Sequence, residues 1–214
     1  MSSFVRPFVV LATMLLGACA SVSDSHYYSL MPAAPQVAAA SDASGPASPA
    51  YAISVQTVQL PAQVDKQQIV ITDAASTQVT PLNGFLWASP LADEIRRALS
   101  DDLSRRLGVL DVSQVAVADG LPVWTVSLLV QRFQSFYDDR ALLDVVWQLV
   151  PSNMPGKRAA ICRAAFQVPV EQGMSALVAG HQLALHRLSE AIAEQIRSGT
   201  VNARLAGMTL QGCT

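Results

Sequence analysis

The 214-residue chain is short of charge, short of cysteine and histidine, and has no apolar run long enough to cross a bilayer. Charged residues make up 14 % and no basic run appears, which argues against nucleic-acid binding through a basic face. The three histidines, His26, His181 and His186, and the three cysteines, Cys19, Cys162 and Cys213, form no His-Glu-x-x-His, no Cys-x-x-Cys and no other metal-ligand spacing. No metal and no cofactor is expected. Neither a Gly-x-Ser-x-Gly elbow nor a phosphate-cradling glycine loop occurs. Asp138-Asp139 reads as a solvated hairpin tip and Asp101-Asp102 as part of a helix surface, whereas glycoside hydrolysis needs two carboxylates held across a substrate. No catalytic residue is assigned, and the chain is not read as an enzyme.

What is present begins at the amino terminus. Arg6 precedes an apolar run from Phe8 to Gly17, well short of the roughly 20 residues of a spanning helix. A basic start, a short apolar stretch and small residues before a cut site make a secretory signal peptide over residues 1–18. Leu16-Gly17-Ala18-Cys19 resembles the lipobox of bacterial lipoproteins, in which cleavage precedes a cysteine already carrying diacylglycerol. Cys19 is then the lipidation site and the first mature residue, and the membrane is reached through that anchor. Removing residues 1–18 takes away Arg6 alone and leaves thirteen Lys and Arg against sixteen Asp and Glu. In an exported protein Cys162 and Cys213 are a candidate disulfide. The other reading is a buried Cys162 with a free Cys213 in a loose tail.

Residues 19–50 hold the lipidated end, a short aromatic strand at His26-Tyr27-Tyr28, and a Pro/Ala/Ser-rich loop or tether. A single domain spans 51–199. Tyr51 to Leu60 alternates with a bulge near Gln56, and Ile69–Thr80 reads as a hairpin before Asn83-Gly84 breaks the chain. Ser89 and Pro90 suit the cap and first position of a helix. That helix carries Leu91, Ile95, Leu99, Leu103 and Leu107 on one stripe until Gly108. A short strand is expected within Val109–Val117. Trp124 to Phe136, Leu143 to Leu149 and Lys157 to Val170 then alternate as a meander, and Met174 to Arg197 has helical spacing up to Gly199. Residues 200–214 carry no period and read as a tail. The pattern predicts an α+β fold, a mostly antiparallel sheet with two main helices packed on one face. Phe85, Trp87 and Phe136 are the candidate partner-interface residues, because aromatics at loop junctions and strand ends either plug a core or anchor a partner.

An ordered set of residues is similar to a known family. It comprises Cys19; Tyr27-Tyr28-x-Leu30; Val55-x-x-Val58-x-Leu60-Pro61; Gln68-Ile69-Val70; Trp87-Ala88-x-Pro90-Leu91 with Ile95 and Leu99; the strands around Phe133 and Trp147; and Leu188-x-x-x-Ile192. Together these resemble the ABC-type transport auxiliary lipoproteins, also described as PqiC-like subunits of membrane-integrity-associated transporters. One departure is Ile71-Thr72-Asp73, where the family pattern has an arginine after the Ile-Val strand. The resemblance implies a non-catalytic periplasmic domain lipid-anchored at the outer membrane, partnered with an MCE-domain transport protein that moves lipid, with a homo-oligomeric ring as one form. Ala20 after the cysteine fits outer-membrane sorting by the enterobacterial rule. A free-standing envelope lipoprotein that binds a hydrophobic ligand or stabilises the envelope is the other reading.

Overall fold

Apolar alternation and apolar stripes become, in the computed structural model, one sheet and two helices over the described residues, 24–32, 51–73, 75 and 77–214. The signal peptide, Cys19 and most of the Pro/Ala/Ser-rich stretch lie outside them. In chain order the elements are β1 (His26–Tyr28), β2 (Ala52–Val55), β3 (Gln68–Thr72), β4 (Val79–Trp87), α1 (Leu91–Leu107), β5 (Val123–Phe136), β6 (Arg140–Ser152), β7 (Ala160–Pro169), α2 (Met174–Ser198) and β8 (Met208–Cys213). The eight strands form one mixed, mostly antiparallel sheet in the order β1-β4-β3-β5-β6-β7-β8, with β2 pairing β5 beside β3's contact on the same strand.

The β5–β6–β7 meander is the frame. Its inward row of Trp124, Val126, Leu128, Val130 and Phe133 on β5 meets Ala141, Leu143, Val145, Trp147 and Leu149 on β6 and Cys162, Ala164, Phe166 and Val168 on β7, all buried. Period-2 alternation puts these side chains on one face, a bulge between Val130 and Arg132 returning Phe133 to it, and α2 lies across that face on β6 and β7. Helix α1 packs on α2 and β2 with Leu91, Ile95, Leu99 and Leu103 inward. At Gly180 the helix lies so close to the sheet that an added Cβ would meet Val170 Cγ1 at 2.3 Å. Both helices end on a glycine in the left-handed region, Gly108 at φ 68° and Gly199 at φ 79°.

The expected bulge near Gln56 is present. Val55 pairs Val126 and Gln59 bridges Leu129, so one extra residue is accommodated on the first segment. Four local expectations are corrected. Asn83-Gly84 does not break the chain but lies inside β4, where the backbone of Asp24 comes within 3.3 Å of a Cβ placed on Gly84. Ser89 does not cap α1. Pro90 holds the cap position, and the Ser89 hydroxyl donates to Glu94 instead. Within 109–117 only Asp111 bridges, to Ile53, so there is no strand there. The stretch read as a tail holds β8, which pairs antiparallel with β7. That pairing sets Cys213 opposite Cys162, and the two are joined in a disulfide.

Candidate functional site

The candidate site is the region where the amino-terminal segment joins the domain. Strand β1 pairs parallel with the end of β4, placing His26 opposite Phe85 and Tyr28 opposite Trp87. The segment that follows is locked by two buried or half-buried side chains from different helices. Glu94 of α1, 2 % exposed, accepts from the Ser29 hydroxyl at 2.7 Å and the Leu30 amide at 2.8 Å, and also from Ser89 and Arg97. Gln182 of α2 donates to the carbonyls of Ser29 and Met31 at 3.0 and 3.2 Å. Leu30 is thereby buried against the core. A carboxylate taken out of water is tolerable only when donors surround it, and here the amino-terminal segment supplies two of them. The residues between β1 and β2 consequently connect two strands of one sheet.

The candidate interface aromatics fall into different environments. Trp87 is 2 % exposed and packs edge-on against Phe133 at 6.1 Å, so it is a core residue and presents no surface to a partner. Phe85 is half-buried, stacked between His26 at 5.5 Å and Tyr28 at 6.2 Å. Phe136 is mostly covered, with the Arg140 guanidinium 4.0 Å above its ring. Cys162 is buried and Cys213 exposed, their disulfide tying the edge strand to the meander. Cys19 lies outside the described residues.

The titratable groups are built for structure. His181, expected on the apolar stripe of its helix, is 1 % exposed, stacked on Phe133 at 4.0 Å, with Nε2 2.9 Å from Ser135 Oγ. Burial pushes its imidazole down to about 3, so the ring is neutral. Asp102 is not the open helix surface expected of Asp101-Asp102. It is 8 % exposed and joins α1 to α2 by accepting from Arg106 at 3.0 Å and contacting His186 at 3.0 Å. Asp138, at φ 56° in the hairpin turn, accepts the Gly173 amide and fixes the start of α2. On the helix-free face of the sheet Asp144 is buried under Arg132 and Arg163, 3.1 and 3.0 Å away. Burial alone would raise its carboxyl, but the hydrogen bonds from Arg163 and Arg132 outweigh that and hold it below the usual carboxylate range. Among the described residues no group of His, Cys, Asp or Glu could hold a metal, and no helix is long and apolar enough to cross a membrane.

An α+β sheet closed on one face by two helices, with its amino-terminal segment clamped between them, defines the class of domain. The solved structures similar to it include an uncharacterized protein at 21 % identity, TM-score 0.58, covering 80 % of this chain and 98 % of that one. Another is a Xanthomonas campestris protein of the family DUF330 at 18 % identity, TM-score 0.52, covering 72 % and 90 %. At these identities the likeness shows the fold. The model of the ABC-type transport auxiliary lipoprotein component family matches residues 28–193, and the chain belongs to that family. No curated protein matches it.

Proposed function

We propose that this protein is a non-catalytic, lipid-anchored periplasmic subunit of an MCE/ABC-type intermembrane lipid transport system, docking the transport conduit at the outer membrane and so supporting envelope integrity. The family match from the end of β1 to the last turns of α2 carries this reading. The locked amino-terminal segment supports it. With lipid on Cys19, only residues 20–25 separate the anchor from β1, and seven peptide steps reach about 25 Å at most. The domain is then held within a short distance of the bilayer, as a fixed docking module requires. Two acyl chains or more make such anchoring stable where one does not.

Site-specific photo-crosslinking in living cells tests the docking. Probes at half-buried Phe85, at Phe136, and at Ile161 and Leu129 on the helix-free face, 44 % and 41 % exposed, are expected to capture an MCE-domain protein from at least one position. Normal expression with no such adduct from any of the four contradicts the proposal.

A further inference from the structure

Where β5 begins, two adjoining hollows of about 330 and 510 Å³ share Trp124, Lys157 and Ile196. Both volumes fall within the range of small-molecule sites. Trp124, Leu149 and Ile196, 6, 1 and 4 % exposed, form the floor, and half-buried Tyr51 and Met154 supply the apolar surface beside it. The rim is cationic. Exposed Lys157 and Arg158 come from the β6–β7 turn and Arg197 from the last turn of α2, while no Asp or Glu lines either hollow. None of the three forms an ion pair among the described residues, and Arg197 donates only to the backbone carbonyl of Arg106. Arg197 is also near enough to Tyr51 to draw its phenol back down against the upward push of burial.

Two other hollows among the described residues lack this combination. In the groove between the helices Asp102 matches Arg105 and His186, and beside Pro90 Asp65 accompanies Lys66. Three unmatched cations around an apolar hollow are unexpected in a chain with sixteen acidic against fourteen basic residues. Cations left without carboxylates beside buried aromatic and aliphatic surface are complementary to a molecule that is anionic at one end and apolar at the other.

We propose that this cleft binds one anionic acyl lipid, its chain lying over Trp124 against Tyr51 and Met154 and its head held by Lys157, Arg158 and Arg197. The cleft also has a defined place. Strand β1 is parallel to β4, β4 antiparallel to β3 and β3 parallel to β5. The amino-terminal segment therefore runs into the sheet from the side of the β5–β6 turn, and the cleft lies at the other end. A lipid held there is on the side of the domain away from the anchor.

Tryptophan fluorescence reads the site, because Trp124, 6 % exposed, is the tryptophan on the floor of the cleft, while Trp87 and Trp147 line neither hollow. Purified full-length protein is titrated with a dibrominated stearic acid below its micellar concentration. Saturable quenching is expected, at least tenfold weaker in affinity for the double variant Lys157→Glu, Arg158→Glu and for a brominated neutral monoacylglycerol. Both substituted residues are exposed, and an unchanged unfolding midpoint confirms that the variant is folded. Absence of quenching, or equal affinity across variant, wild type and neutral lipid, overturns the proposal. So does a lipid-insensitive cleft whose charge reversal alters the oligomeric state, or whose position 157 crosslinks to a protein segment. The transporter assignment is tested separately, since crosslinks to an MCE protein from Phe85 or Ile161 stand or fail without regard to quenching at Trp124.

Discussion

Glu94 is the side chain whose loss the domain should feel most sharply, because it satisfies the buried Leu30 amide and the part-buried Ser29 hydroxyl. Glu94→Ala leaves those donors unpaired and is expected to lower stability by about 2–3 kcal/mol, seen as a reduced urea midpoint, with faster proteolysis within residues 29–32. Glu94→Gln, which keeps one acceptor, should lose less. His181 makes a second prediction, on acid sensitivity. Its folded pKa of about 3 lies below the ordinary 6.5, so between those values the unfolded chain binds a proton that the folded chain refuses. Stability is full above pH 6.5 and falls as pH drops through that window, with a slope of up to about 1.4 kcal/mol per unit from this group. Asp144, whose carboxyl is held low, adds a loss only at pH values below the ordinary carboxylate range. Urea midpoints from pH 7 to 4 should therefore decline in the wild type and flatten in His181→Leu. An equal decline in both would show that the histidine does not carry the effect.

The long elements were legible because burial of one face writes its period into the chain. The row from Trp124 to Val130, its partners on β6 and β7, and the stripes of α1 and α2 lie where alternation or four-residue spacing places them, and Phe133 rejoins that row through the bulge between Val130 and Arg132. What escaped has no such period. Strand β8 buries only Met208 and leaves most of its residues at the sheet edge, so its hydrogen bonds to β7 have no apolar signature. Asn83-Gly84 has turn composition, yet Gly84 serves the close approach of Asp24. Glu94 looks like an acidic residue favouring the helix dipole, and its partners are 64 and 65 residues away. Core and interface roles for Trp87 have the same local sequence, and only packing against Phe133 separates them. The Trp124 cleft escaped because it is assembled from segments far apart in the chain. Two tests apply to these elements. Gly180→Val forces side-chain atoms into Val170 and Ala141 and should cost about 1–3 kcal/mol or more by chemical denaturation. Replacing Cys162 and Cys213 with serine opens the 51-residue loop between them, for which the chain-entropy model gives about 4 kcal/mol. A midpoint matching that of the oxidised wild type would show that β8 is held by its backbone bonds alone.

In the whole molecule, one sheet face is closed by helices and the other lies open around the Arg132–Asp144–Arg163 cluster. The amino-terminal segment is built into the sheet beside β4, so an anchor at Cys19 would leave the domain little freedom to leave the membrane surface. If placement is the function, folding and function come apart at a single residue. Cys19→Ala removes the proposed lipid site and touches none of the described contacts. The decisive measurement is complementation by that variant in a strain lacking the protein, read as envelope barrier function and lipid transport, beside its thermal unfolding and its distribution between membrane and soluble periplasmic fractions. The account predicts a normally folded, soluble protein that fails to restore either activity. Full restoration by the soluble form would contradict it.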